Sequence, residues 1–138
     1  MSGFSQNYAV KVLEYITKKK ALAEPTTWLA LTTVVPTNSS TGATITEANY
    51  TGYARKEVPT AEWEAAVAGT PSSVANEKSF TFAAVTGGTS TIIGWALCDN
   101  ATTGAGNIIM WGTAASTVLS TTQTPATVAA KVLSLTLV

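Results

Sequence analysis

The sequence has no histidine, one cysteine and few charged residues, and these absences exclude several kinds of chemistry. A Ser-His-Asp triad and most zinc sites need histidine, and a single cysteine cannot form an internal disulfide. The one cysteine, Cys98, lies in an apolar run with no histidine to activate it, so we expect it to be a core residue. We therefore predict no catalytic residue, no cofactor and no metal site, and a protein that is not an enzyme.

Charged residues make up only 12% of the 138 residues, and they are unevenly distributed. Eight are basic and eight are acidic, but from position 79 to 138 only Asp99 and Lys131 are charged. Threonine, serine, alanine and glycine form a neutral surface there, which is less costly to bury than a charged one. This pattern favours a homo-oligomer, with a trimer as the expected state, or packing against other subunits. A monomeric, threonine-rich sandwich remains the alternative.

Two classes of partner are not expected from the sequence. A nucleic-acid-binding protein usually has a basic excess, and this chain has none. No apolar run approaches the ~18 residues that a membrane helix needs, and the first five residues do not resemble a signal peptide. We therefore predict no nucleic-acid partner and no membrane partner.

The N-terminal segment has the periodicity of an amphipathic helix. Ser5 is placed to cap it, and its apolar positions are Tyr8, Ala9, Val12, Leu13 and Ile16. Three lysines at 18–20 suit the negative end of the helix dipole, and Pro25 prevents the helix from continuing. We predict a helical unit over 1–22, with candidate interface residues Tyr8, Val12, Leu13 and Ile16. The alternative is that this helix only closes one end of the β domain.

The period then changes to two, which is typical of strands. Strands are predicted at 27–34, 50–58, 79–83, 91–98, 107–112 and 128–138. Because no βαβ alternation is present, we predict a mainly β domain over 23–138, an antiparallel β-sandwich or a jelly-roll-like barrel with one N-terminal helix. The candidate core residues are Trp28, Leu31, Phe80, Phe82, Trp95, Cys98, Trp111, Leu133 and Leu135.

Two further side chains are candidate interface residues, Arg55 and Trp63. Arg55 is the only arginine, and its position beside Tyr53 and Glu57 predicts contact with an aromatic ring and a carboxylate. Trp63 is expected to be the most exposed tryptophan. Together with nearby tyrosines at 50 and 53 it offers a surface on which a sugar ring stacks, although aromatic residues fill cores more often.

Four short segments in a fixed order resemble a known family. They are W-L-A-L-T-T at 28–33, N-Y-T-G-Y-A-R at 49–55, I-G-W-A-L-C-D at 93–99 and I-I-M-W-G at 108–112. This order is similar to that of small virion structural proteins of tailed bacteriophages, often labelled tail-fibre or minor structural proteins. The resemblance implies a protein made in the host cytoplasm and located on the virion surface.

Because the chain has no fibre-forming repeat, we expect a capsid decoration protein rather than a fibre shaft. Such a protein would bind the major capsid protein, or other virion proteins, and reinforce the assembled head. Two alternatives stay open. One is a tail-tip or tail-fibre module that contacts the host surface and its glycans, and the other is a carbohydrate-binding β-sandwich.

Overall fold

A hairpin of two long antiparallel strands lies at the centre of the fold. In the computed structural model, which describes residues 2–137, this hairpin belongs to a five-stranded antiparallel sheet with the order β1-β7-β6-β2-β3. Two smaller sheets pair β4 with β9 and β5 with β8. The strands are β1 (Ser2–Phe4), β2 (Trp28–Thr32), β3 (Lys56–Glu57), β4 (Ser72–Ala75), β5 (Phe80–Thr81), β6 (Thr89–Cys98), β7 (Ile108–Ser120), β8 (Thr127–Val128) and β9 (Ser134–Leu137).

The predicted fold class is confirmed, because antiparallel sheets dominate and one helix, α1 (Gln6–Ile16), lies near the N-terminus. A single 3-10 turn spans Thr60–Glu62. The several sheets give a sandwich-like arrangement, and residues 2–137 form no closed barrel.

The hairpin exists because β6 is apolar on both faces. Its side chains Ile92, Ala96, Leu97 and Cys98 are buried, as expected of a central strand covered on both sides. Its partner β7 continues eight residues beyond the predicted end at 112. The sequence did not indicate this extension, because residues 113–118 are exposed and carry no alternating pattern.

Buried side chains on the two faces of the main sheet form the core. Six of the nine predicted core residues are buried, and Trp28, Trp95 and Leu135 are half-buried. One large cluster contains Leu29, Leu31, Tyr50, Val58, Phe80, Phe82, Ile92, Leu119 and Leu133. A second cluster contains Ala30, Ala96, Cys98, Ile108 and Trp111, and a third contains Tyr8, Leu97, Ile109 and Met110.

The strand predicted over 50–58 is wrong for most of its length. Only Lys56–Glu57 forms a strand, paired with Trp28 and Leu29 of β2. Upstream the chain turns at Gly52, whose φ of +98° is accessible to glycine at little cost. The alternating pattern arises here from a buried side chain, Arg55, rather than from a strand face.

The strand predicted over 128–138 is interrupted. After Thr127–Val128 the chain turns, with Lys131 at a φ of +68°, and pairing resumes only at Ser134–Leu137. The last predicted strand residue, Val138, lies outside the described residues. The sequence does not indicate this interruption of the strand, because the apolar alternation continues through the turn as far as Leu133, which is buried.

The N-terminal segment is more than a helical unit. Residues Ser2–Phe4 pair with Gly112, Trp111 and Met110 of β7, so the main sheet begins before the helix. Ser5 then caps α1, as predicted, with its side chain accepting a hydrogen bond from the Tyr8 backbone N–H at 3.2 Å.

Asn76 fixes the interrupted C-terminal segment. Its amide group donates to the carbonyl oxygens of Lys78 and Ala129, both at 2.8 Å, and accepts from the Leu133 backbone N–H at 2.8 Å. The side chain has no exposed surface, so replacing it removes three buried hydrogen bonds to backbone groups. Of these groups, the Ala129 carbonyl keeps the Val132 backbone N–H at 3.3 Å.

We predict that Asn76→Ala lowers the free energy of unfolding by about 3 kcal/mol, because each buried group left unpaired costs roughly 1–3 kcal/mol. Chemical denaturation of the purified protein measures this. The exposed neighbour Ser79→Ala is the matched control and should stay within about 0.5 kcal/mol of wild type. Equal stability of both variants would contradict this role for Asn76.

Candidate interaction surfaces

A buried ion pair joins two loops at one end of the main sheet. Arg55 contacts Glu47 through two nitrogens, Nη2 to Oε1 at 2.7 Å and Nε to Oε2 at 3.1 Å. It also donates to the carbonyl oxygens of Gly42 at 3.0 Å, Asn100 at 2.8 Å and Ala105 at 2.9 Å. The guanidinium therefore holds the loop before Glu47 against the loop between β6 and β7.

The carboxylate of Glu47 is satisfied from its other side. It accepts the Tyr53 hydroxyl at 2.8 Å and the Gly104 backbone N–H at 3.1 Å. The Tyr53 hydroxyl in turn accepts the Leu31 backbone N–H at 3.1 Å. Burial, and then the negative charge of Glu47, raise the pKa of Tyr53 well above its ordinary value, so this hydroxyl remains a donor.

This network corrects two predictions about Arg55. Its carboxylate partner is Glu47 and not Glu57, which is exposed. Only 4% of Arg55 is exposed, so its side chain is an internal connector and does not present itself to a partner. The sequence identified a structural arginine but not the residue that pairs with it.

The helix is held in one rotational orientation by its first turn. The Ser5 hydroxyl donates to the Ile108 carbonyl, and its backbone N–H donates to Ile109 O at 3.0 Å. Tyr8, 6% exposed, then packs with Leu97, Ile109 and Met110. The prediction that Tyr8 lies at an interface is therefore corrected, because its ring is buried within the chain.

Two residues of the predicted helical stripe are largely exposed. Leu13 is 61% exposed and Ile16 is 66% exposed, while Val12 is half-buried. Val10, which the stripe did not include, is 50% exposed. Of the four predicted interface residues on the helix, the structure leaves Leu13 and Ile16 fully available to a partner and Val12 partly so.

A groove of about 490 Å³ runs between α1 and residues 20–26. The Lys11 Nζ atom lies 3.7 Å from Asp99 Oδ2 and 4.3 Å from the centre of the Tyr8 ring. The Lys20 Nζ atom lies 3.2 Å from Glu14 Oε1. Burial raises the pKa of Tyr8, and the negative charge of Asp99 and a hydrogen bond to that carboxylate raise it further, to about 12. Both signs of charge are thus paired along the groove, which gives it no strong preference for an anion or a cation.

The aromatic residues near Trp63 do not form a common exposed surface. Trp63 is half-buried, and its indole N–H points to Thr27 Oγ1 and Val58 O, both at 3.3 Å. Tyr50 is 3% exposed and packs edge-on against Tyr53 at 5.5 Å between ring centres. The alternative of a sugar-stacking platform therefore has no common exposed surface here, and Trp63 presents only part of its ring to a partner.

An uncharged, exposed surface lies on the second half of β7. Residues 114–118 are all exposed, and the following loop at 121–124 is exposed as well. No charged residue occurs between Asp99 and Lys131. The surface consists of alanine, serine, threonine and valine, which another protein can cover without desolvating a charge.

Chemically reactive groups are inaccessible or unclustered. Cys98 has no exposed surface, and burial raises the pKa of its thiol to about 12. Across residues 2–137 no three acidic or thiol groups lie close enough together to bind a metal ion. Over the same range no helix is both long and apolar enough to cross a membrane.

A comparison with protein families now assigns the chain. The family model described as podophage GP4 fiber I protein gp80 matches residues 3–136. The chain belongs to this family. It is therefore a phage virion structural protein of the fibre kind, as the resemblance of its sequence segments predicted. No curated protein matches the sequence.

Both candidate interaction surfaces lie within the residues that the family model matches. The match includes β1, α1 and nearly all of β9, so both the exposed helix face and the uncharged surface of β7 belong to the family's matched region. The family description fits a fibre component at least as well as the predicted capsid decoration protein.

We predict that Arg55→Lys lowers the free energy of unfolding by about 3 kcal/mol. Lysine keeps the charge but lacks the planar group that contacts Glu47 twice and reaches two loops at once. Thermal and urea unfolding measure the change. The half-buried neighbour Lys56→Arg serves as the control, and wild-type stability of Arg55→Lys would refute the role of the network.

We also predict that Cys98 does not react with a thiol reagent at pH 8 while the chain is folded. A thiol with a pKa of about 12 is almost entirely protonated at that pH, and the sulfur is covered. Absorbance after addition of an aromatic disulfide measures the reaction. The control, Cys98→Ala combined with Val132→Cys, carries its thiol at a position that is 67% exposed and should react rapidly. Rapid reaction of native wild type would contradict the buried placement.

Proposed function

We propose that this protein is a non-enzymatic, homotrimeric component of a phage fibre that acts by passive burial of surface. The observation that carries this proposal is the uncharged, exposed stretch at 114–118 on a chain of the fibre family. Its partners are copies of itself and other virion proteins, and it is made in the host cytoplasm before assembly.

Self-association is favoured by the chemistry of this stretch. Around a symmetry axis, equivalent side chains of different copies come close together, so charged residues there repel one another. Alanine, threonine and valine avoid that cost and contribute apolar area when buried. The remaining surface has most of the charges, including Lys11, Glu14 and the lysines at 18–20.

The non-enzymatic role that we propose is supported by the environment of the thiol and of the buried carboxylate. The only thiol is protonated and covered, and the buried carboxylate Glu47 is fully engaged with Arg55, Tyr53 and Gly104. Each of these groups contributes to stability within the chain. Binding area and shape are then what the protein supplies to an assembly.

Capsid decoration is the second candidate. The described residues form a small unit with β1 and α1 packed on the main sheet, and the sequence has no shaft-forming repeat. A decoration protein stabilises a lattice because it binds assembled capsid and not free subunits. Copy number separates the candidates, since decoration proteins occur in hundreds of copies per particle and fibre components in far fewer. Quantitative mass spectrometry of purified virions gives this number.

We predict that the wild-type chain sediments as a trimer at micromolar concentration and that Val118→Lys weakens the trimer. Val118 is 50% exposed, so the substitution leaves the core intact but places three ammonium groups near one another. We expect the dissociation constant to rise roughly a hundredfold. Analytical ultracentrifugation over a dilution series measures it.

The control is Thr102→Lys, which adds the same charge to an exposed loop on another part of the chain. It should leave the trimer unchanged. A wild-type protein that is folded and strictly monomeric at high micromolar concentration would end the proposal of self-association. Unchanged assembly of Val118→Lys would move the contact to a different surface.

A further inference from the structure

Much of the apolar surface of α1 is exposed to solvent. Of the nine large hydrophobic side chains exposed among the described residues, four lie on this helix of eleven residues. A helix whose outer face meets only water normally presents polar residues there. Here Ser5 and Tyr8 attach the first turn of the helix to the sheet, while Leu13 and Ile16 in its later turns are exposed.

Three of these side chains form one exposed face. Val10 and Leu13, and likewise Leu13 and Ile16, are three residues apart, so each pair lies side by side on the helix surface. They are 50%, 61% and 66% exposed. Pairs three residues apart are part of the i, i+3, i+4, i+7 pattern with which an amphipathic helix enters an apolar groove of another protein.

The charge next to this line indicates what kind of groove fits. Lys18 and Lys19 follow directly after the helix, are exposed, and have no ion-pair partner among residues 2–137. The last helical turn already carries the negative end of the dipole, so these ammonium groups suit its end and extend beyond it. A complementary surface has carboxylates at the corresponding edge of its groove.

A second copy of the helix fits this face less well. Parallel packing around a symmetry axis would bring the lysines at 18–20 of each copy together. Antiparallel packing would place them against the first turn of the other helix, which contains no acidic residue. The neutral surface at 114–118 has no such conflict.

We propose that the face formed by Val10, Leu13 and Ile16 docks the chain to another virion protein, in an apolar groove bordered by carboxylates. This inference rests on the proposed function as a virion component. It gives the chain two separate contacts, one between copies through β7 and one to the particle through α1.

The test uses particles that lack the chain, to which purified protein is added back. The double variant Leu13→Ser, Ile16→Ser removes the largest apolar groups of the face. We expect it to melt and sediment like wild type but to need roughly a hundredfold higher concentration to occupy the particles, about tenfold for each side chain. If the double variant melts at a lower temperature, Ile16→Ser alone repeats the measurement at the end of the helix.

The matched control is Val67→Ser, Val132→Ser. These valines are 60% and 67% exposed and lie outside the helix, so the control should bind particles like wild type. Lys19→Gln should reduce the dependence of binding on salt, whereas Lys78→Gln should not.

Four outcomes overturn the inference. Normal particle binding by the double variant shows that the face is not used. Loss of the trimer in that variant shows a contact between copies. Helix-dependent binding of wild type to phosphatidylglycerol vesicles identifies a lipid surface instead. If wild type itself does not bind the particles, the proposed function fails together with the inference, whereas in the first three cases the proposed function stands.

Discussion

The buried pair of Arg55 and Glu47 is the constraint on which the loop end of the fold depends. Removing two charges from water costs several kcal/mol for each, and only complete hydrogen bonding and close geometry compensate for it. Here that condition is met, because the pair binds three carbonyl oxygens, one hydroxyl and one backbone N–H. Two loops that lack regular structure are therefore fixed by a single side-chain contact, and glycine is required at 42, where a Cβ atom would approach the Ala105 carbonyl oxygen to 2.1 Å.

Placing this pair inside the chain has a consequence for its surface. Charges are few, and the pair takes two of them out of contact with solvent. The remaining charges concentrate near α1 and in the region before β5, which leaves the second half of β7 neutral. The sheet is stable without charge on that side because β6 supplies buried side chains to both of its faces. A neutral surface on a stable sheet is what repeated contact between copies requires.

Sequence reasoning succeeded where the determining interactions are local. The cap at Ser5, the central strand β6 and the burial of Cys98 each follow from a short window of residues. It failed where the determining partner is distant or where the pattern is ambiguous. Asn76 bonds to a residue 57 positions away, and the alternation around Arg55 has the same period as a strand. The exposed end of β7 has no periodicity at all, so nothing local distinguishes it from a loop.

Helical periodicity illustrates the limit most clearly, because it identifies an apolar stripe but not the direction in which that stripe points. Five apolar positions predicted one helix face and left open whether it meets a partner or closes the β domain; the structure buries Tyr8 and exposes Leu13 and Ile16. The difference arises from the strand β1, which the sequence did not reveal. By pairing with β7 it fixes where the helix begins, and the Ser5 bonds to Ile108 and Ile109 then fix its rotation. The apolar stripe of α1 is wider than the contact of the helix with the sheet, so part of its apolar surface stays exposed. The preceding strand β1 sets the position of the helix and thereby determines which part that is.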